Sequence, residues 1–340
     1  MSGLKIVTVL VALALATTAF FYMSQKTQHS EVPTPVREAF KEWRLAYGKS
    51  YGTSQDLEFR TKVFYQNFLK VKEMSKQAKS YTVGLNKFSD MTEEEFVAKY
   101  TGYNPSTSRL LEKNKRVGAD ELGKPAKKVD WRRRGAVNPI KNQGRCGSCW
   151  AFATVHSIEA AHAIKSGELL DLSEQQLVDC AGGIWFNHGC NGGLPSFAFR
   201  YIRHAGGLTK QSEYPYNAKD GSCQHPKDLY AKLDTWVNVK SDVESVEAAV
   251  TQQPLAIAIH ANPIMHYTSG IFEDQHCGTQ LNHAVGLDGY GSQGGQDYWI
   301  VRNSWGTDWG EDGYIRMAKG TGARGGTCGL LMETSFPVMA

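Results

Sequence analysis

The chain has 340 residues, 41% hydrophobic and 21% charged, an ordinary globular composition that argues against wholesale disorder and allows two packed units. Its formal charge is only +4, and no stretch interleaves dense Lys/Arg with stacking aromatics, so nucleic acid is not an expected partner. The charge is uneven. Residues 1–124 carry 19 Lys+Arg against 13 Asp+Glu and residues 125–340 carry 19 against 21, so the two parts are expected to do different things.

Residues 1–24 read as a secretory signal: Lys5 precedes an apolar run from Ile6 to Met23, with small residues such as Ala16 and Ala19 for cleavage. The alternative is an uncleaved signal anchor, because the run approaches bilayer-spanning length. No second apolar run of that length follows, so the remainder is expected to be soluble and lumenal or extracellular. From Arg37 to Gln77 the pattern is helical. Phe40, Trp43 and Tyr47 share one face, Gly48–Thr53 interrupts, and Val63, Phe64, Val71 and Met74 resume the period, which predicts two helices. Tyr81–Leu85 predicts a short strand, and the polar stretch Ser106–Lys124 an exposed linker open to proteolysis.

Beyond Pro125 the texture changes. Cys149–Ile164 is Ala-rich and free of Gly and Pro, which predicts a helix buried over much of its surface. From Pro254 onward the apolar runs Leu255–Ile259, Ala284–Leu287, Tyr298–Val301 and Tyr314–Met317, separated by Gly-rich turns, predict strands. A helical half followed by a β half implies an α+β protein with a cleft between the halves. All seven cysteines lie after residue 145, and in an oxidising compartment an odd count implies three bridges and one free thiol; spacing alone does not say which.

The strongest local signal is Gln143-Gly-Arg-Cys146-Gly-Ser-Cys149-Trp150. It puts Cys149 at the first position of the predicted helix, where unpaired N–H groups and the helix dipole favour a thiolate. Neither a second CxxC nor a His pair accompanies it, so zinc is not expected, and no thioredoxin-like βαβ pattern surrounds it. Without the flanking residues, two structural half-cystines would be the preferred reading.

The segment Cys146-Gly-Ser-Cys149-Trp150 matches the papain/cathepsin signature C-G-[SA]-C-[WY]. A histidine and an asparagine follow far downstream, His283 in Leu281-Asn-His-Ala-Val285 and Asn303 in Asn303-Ser-Trp-Gly306. Leu172–Cys180 and Gly189-Cys-Asn-Gly-Gly193 resemble two further blocks of the same family. The first third resembles its inhibitory prosegment, with Asp56, Arg60, Phe64, Asn67, Val71 and Ser75 in the helical motif and Gly84-Leu-Asn-Lys-Phe-Ser-Asp90 after it. Asp56 and Ser75 depart from the usual Glu and Asn at the ends of that helix.

The resemblance implies a two-lobed α+β fold, with a helical left lobe, a β-barrel-like right lobe, the active-site cleft between them and a mainly helical prodomain in front. It divides the chain into a signal or anchor (1–24), an inhibitory prosegment with linker (30–124) and a peptidase domain (125–340). It pairs Cys146 with Cys190, Cys180 with Cys223 and Cys277 with Cys328, leaving Cys149 free. It assigns Cys149 as nucleophile, His283 as base, Asn303 as the residue orienting the imidazole, and Gln143 with the Cys149 N–H as oxyanion donors. Gly193 would pair with the substrate backbone, and Leu194, Pro195, Ala258, Leu281 and Ala284 would line the pocket for the residue two before the cut, with Glu333 at its far end. Trp305 would shield the His283–Asn303 bond.

The implied function is a secreted or lysosomal/vacuolar cysteine endopeptidase made as a latent zymogen; the absence of a long insertion between Cys180 and Cys190 favours internal cleavage over dipeptide trimming. A catalytically silent papain-fold binding protein is the alternative, against which stand the retained Gln143, Cys149, His283 and Asn303. Expected partners are peptide and protein substrates and the chain's own prosegment, with room for cystatin-like inhibitors. No cofactor or metal is expected, and the enzyme is expected to be a monomer.

Overall fold

A computed structural model describes residues 31–105 and 115–340, so the expected signal and residues 106–114 of the expected linker lie outside the described residues. The chain divides into two compact units, one ending at Gln66 and the other spanning Asn67–Ala340.

In the first unit, helix α1 (Thr34–Ala46) starts with Pro inside its first turn, and α2 (Ser54–Gln77) begins after a turn in which Gly48 has a positive φ of 59°. Both helices were expected from the periodicity. Phe40 and Trp43 from α1 meet Phe64 from α2 at ring-centroid distances of 5.1 and 5.3 Å, and Phe64 is fully buried. A fork-to-fork pair, Arg37 Nη1 and Nη2 on the two Glu58 oxygens at 2.9 and 3.1 Å, holds the helices in register.

The second unit starts well inside the expected prosegment. Its elements in order are β1 (Tyr81–Val83), α3 (Glu93–Tyr100), β2 (Arg116–Val117), α4 (Ala119–Leu122), β3 (Val129–Asp130), α5 (Cys149–Ser166), α6 (Glu174–Cys180), α7 (Pro195–Ala205), β4 (Leu233–Val239), α8 (Val243–Gln252), β5 (Leu255–Ile259), β6 (Tyr267–Phe272), β7 (His283–Gln293), β8 (Gln296–Arg302), β9 (Tyr314–Ala318) and β10 (Thr334–Met339). The hydrogen-bonded strand order is β1-β6-β9-β8-β7-β5-β10-β4-β2, with β3 on β7, and this path is open at both ends. Mixed helices and an open sheet make the fold α+β. Every residue of β5 is buried because it lies between β7 and β10 in the middle of that path, which is why it reads as an unbroken apolar run rather than an alternating one.

Two apolar cores form. One surrounds α5, which is buried from Cys149 through Ala161 and stops at Gly167 in the left-handed conformation; Leu172, Phe197, Phe199 and Ile202 join it. The other is built from Leu255, Ile257, Leu287, Trp299 and Val301, and extends into Phe88, Met91 and Phe96 of the expected prosegment. Residues 80–91 are fastened there by backbone pairing. β1 adds antiparallel to β6, the Gly84 N–H donates to His266 O at 2.9 Å, and Asn86 Nδ2 to Met265 O at 2.8 Å. Asn67, from the helical motif, donates through Nδ2 to Ser89 O and Met91 O, both at 2.9 Å, closing the Gly84–Asp90 loop from behind.

The described part of the linker, 115–124, is mostly exposed or half-buried and is fastened to the sheet. There β2 pairs parallel with β4 at Asn238 and Val239, Gln252 Nε2 donates to Leu122 O at 2.7 Å, and Ala119 N–H donates to Ser245 Oγ at 3.2 Å. The reason is that β4 would otherwise be the edge of the sheet, and its free edge groups accept backbone of almost any composition.

Candidate active site

Cys149 opens α5, and the other six cysteines are joined as Cys146–Cys190, Cys180–Cys223 and Cys277–Cys328, so it is the free thiol. His283 opens β7 and Asn303 follows the end of β8. Antiparallel pairing of these strands, with Gly286 opposite Arg302, puts both residues at one end of the sheet. The Asn303 Oδ1 lies 2.8 Å from His283 Nε2 and also accepts from Ser304 N–H at 2.8 Å. An amide oxygen only accepts, so Nε2 carries the proton and Nδ1 is left as the basic nitrogen. Nδ1 is buried and has no hydrogen-bond partner among the described residues. The fully buried Trp305 ring stacks on the imidazole, centroids 4.7 Å apart at 25°.

The Cys149 sulfur accepts from the Ala284 N–H at 3.4 Å. Burial pushes this thiol up to about 12, against the pull of the Ala284, Trp150 and Cys149 N–H groups. Burial likewise pushes His283 down to about 4, opposed by the Asn303 hydrogen bond. With the cleft covered, both groups are therefore held neutral. Gln143 is fully buried; its Oε1 accepts from Ser304 Oγ at 2.6 Å and its Nε2 donates to Cys146 O at 2.9 Å and to Tyr100 O at 3.2 Å.

Tyr100 belongs to the cover. Its carbonyl also accepts from Trp305 Nε1 at 2.9 Å, while Phe88 and Phe96 meet the Trp305 ring edge-on. From there the chain runs through the cleft. Gly102 and Tyr103 N–H groups donate to Asn282 O at 2.9 Å each, Gly193 N–H donates to Gly102 O at 2.8 Å, and Asn104 N–H to Gly193 O at 3.4 Å. The passage is so close that a Cβ on Gly102 would stand 2.1 Å from the Gly147 oxygen, so only glycine fits. Tyr103 is only 7% exposed and sits in one apolar cluster with Cys149, Leu194, Ala258, Leu281 and Ala284. Its phenol is pushed well above the ordinary range by burial and then by the Glu333 carboxylate, with the Arg116 guanidinium opposing.

The structure thus gathers Leu194, Ala258, Leu281 and Ala284 in one cluster with Tyr103, with Glu333 close enough for its charge to act on the phenol and Pro195 buried at the first turn of α7. Trp305 lies outside that cluster, in the β-side core and stacked on His283. Two features went unread in the sequence. Ser304 fixes the Gln143 amide, and the Asn303-Ser-Trp run was its only signal. Lys141 Nζ reaches Glu159 Oε1 at 3.1 Å, Glu174 Oε1 at 2.8 Å and Asp171 Oδ1 at 2.7 Å, tying the Gln143 loop to the helix that carries Cys149. A glutamate within the buried stretch of α5 was the clue, since a buried charge needs a partner. Burial pulls Lys141 down, but Glu174 and Glu159 outweigh it and hold it above the ordinary range.

Residues 125–338 match the family described as papain family cysteine protease, and residues 40–96 match the cathepsin propeptide inhibitor domain. The chain belongs to the papain family of cysteine proteases. It is 44% identical over 292 residues to the KDEL-tailed cysteine endopeptidase CEP2 of Arabidopsis thaliana, covering 83% of this chain and 80% of that protein. Fruit bromelain of Ananas comosus is 39% identical over 338 residues, 97% of this chain and 94% of that one. Among solved structures, a recombinant stem bromelain precursor superposes with a TM-score of 0.81 at 38% identity, covering 89% of this chain and 99% of that one. A bromelain protease of Ananas comosus in complex with the E64 inhibitor matches with a TM-score of 0.61 at 41% identity, over 63% of this chain and all of that one. As a papain-family member with a propeptide inhibitor domain, the protein is a cysteine endopeptidase precursor, and its own prosegment is its inhibitor.

Proposed function

We propose that Cys149, His283, Asn303 and Gln143 carry out peptide hydrolysis once residues 80–105 leave the cleft. His283 takes the Cys149 proton through Nδ1, giving a thiolate–imidazolium pair whose ring plane Asn303 holds. The thiolate attacks the peptide carbonyl, and the oxyanion receives the Gln143 Nε2–H and the Cys149 N–H; one such donor is worth about 100- to 1000-fold in rate. His283 then protonates the leaving amine, and water activated by the same ring releases the acyl-enzyme. The observation that carries this reading is the free thiol at a helix N-terminus beside a histidine oriented by Asn303.

The segment 125–340 is the mature enzyme in this reading, 30–124 the prosegment and linker, and 1–24 the signal or anchor. Tyr103, bedded among Leu194, Ala258, Leu281 and Ala284, supports a pocket that takes Leu, Phe or Val two residues before the cut, beside backbone pairing at Gly193. Glu333 at its end adds tolerance of Arg. Three disulfides support an oxidising compartment, a lysosome, vacuole or the exterior, and the enzyme works as a monomer open to cystatin-like inhibitors. Acid-activated protein treated with an epoxysuccinyl peptide should take up one equivalent, located at Cys149 by peptide mapping. Label on another residue, or none on a protein that still cleaves peptides, overturns the assignment.

A further inference from the structure

The linker places a guanidinium on the carboxylate at the end of the substrate pocket. Arg116 Nη2 sits 3.1 and 3.2 Å from the two Glu333 oxygens, and Nη1 donates to Val239 O and Met332 O at 3.1 and 3.0 Å. The backbone is fixed as well, with β2 parallel to β4 and Lys240 N–H donating to Val117 O at 2.8 Å. None of these bonds involves residues 80–105. After a cut between Pro105 and Lys115, release of residues 80–105 takes Tyr103 out of the pocket but leaves 115–124 bound along the β4 edge, with Arg116 still on Glu333.

We infer that Arg116 is a specificity-determining residue of the partly matured enzyme: while 115–124 remains attached, it occupies Glu333 and bars Arg from the pocket, and its removal opens the pocket to Arg. An incoming guanidinium meets one already in place, so it gains no carboxylate partner and faces a like charge. Phe or Leu depends on the apolar walls and is indifferent to that end of the pocket. Maturation thus proceeds in two steps, the first giving activity and the second widening the substrate range.

The inference rests on the proposed place of Glu333 in the pocket, and the experiment separates the two. Two enzyme forms are made from the full-length precursor by placing a cleavage sequence for an unrelated site-specific protease either between residues 110 and 111 or between 124 and 125, with the N-terminus of each checked by mass. The ratio of kcat/KM on Arg-Arg to that on Phe-Arg peptide substrates is then compared. The extended form should show a ratio about 10- to 100-fold below the trimmed form, the range of one charge-assisted hydrogen bond. Arg116→Gln in the extended form should restore the trimmed ratio, and Glu333→Gln in the trimmed form should lower it to the extended one. Equal ratios in the two forms, or a difference that Arg116→Gln leaves intact, overturn the role of Arg116. If Glu333→Gln changes nothing in the trimmed form, it is the pocket assignment that fails, and the inference with it.

Discussion

Tyr103 is the residue on which latency should depend most steeply. It is 7% exposed and lies in the cluster of Cys149, Leu194, Ala258, Leu281 and Ala284, so Tyr103→Ala removes a phenol ring from an apolar site that only solvent can refill. Truncating a buried aromatic costs about 3–5 kcal/mol in a closed core, and simple loss of burial about 1.5–3 kcal/mol. A cleft that opens to water on release lies between these, at about 2–4 kcal/mol. At 1.36 kcal/mol per decade that multiplies the fraction of open precursor by about 30- to 900-fold. The assay is the rate at which the full-length precursor, held at neutral pH, is labelled by an epoxysuccinyl peptide, since only the open form reacts. Gly102→Ala, whose Cβ would collide with the Gly147 oxygen, should accelerate labelling in the same assay. Labelling of Tyr103→Ala within about twofold of the unmodified precursor would refute the reasoning, because the ring would then not be holding the cover in place.

Other expectations follow from the same geometry. Cys149→Ala should abolish peptide hydrolysis with thermal stability retained, whereas Cys146→Ala should lower stability by about 2–5 kcal/mol through loss of the bridge to Cys190, both read by melting curves and activity. Acid should release the prosegment. The Cys149–His283 pair adds little to this: covered it holds one proton on sulfur and uncovered one on the imidazole, so its proton count does not change on opening. Glu93, held below the ordinary carboxylate range by Lys70 and by Asn262 of the peptidase part, contributes stability that is present above its unfolded pKa and lost as pH falls through its folded one. A precursor whose open fraction, measured by labelling, is constant from pH 7 to about pH 4 would contradict this. Asn303→Ala should lower kcat more than it raises KM, because it frees the imidazole to rotate without touching the substrate pocket.

What could be read from the sequence was chemistry tied to local pattern. Cys149 at a helix start, the unbroken β5 run and the two prosegment helices each depend on residues close in the chain, and the period or motif that marks them survives folding unchanged. The elements left unread depend on tertiary partners or on signals that were present but unused. α3 begins with a capping box, Thr92 and Glu95 exchanging hydrogen bonds, which the sequence carries in plain form. β2 has no apolar alternation because its two residues are held by the β4 edge and by the Arg116 side chain. Nothing near Tyr103 in sequence indicates that it fills a pocket whose walls come from α7, β5 and β7. Likewise Trp305 could be tied to the histidine from its motif, but its place between His283 and the Phe88–Phe96 pair required the fold.

The central claim is that Cys149 and His283 are neutral while covered and form an ion pair once uncovered. It is tested most directly by the pH dependence of Cys149 alkylation in the latent precursor and in the acid-activated enzyme, each quantified at that residue by mass spectrometry. The activated enzyme should alkylate at a rate nearly flat between about pH 5 and pH 8, as a thiolate with a depressed pKa does, and the latent precursor should alkylate far more slowly at neutral pH, at a rate that rises only as acid opens it. A rate in the activated enzyme that climbs steadily toward pH 9, as an ordinary thiol's does, or equal profiles for the two forms, would contradict the account.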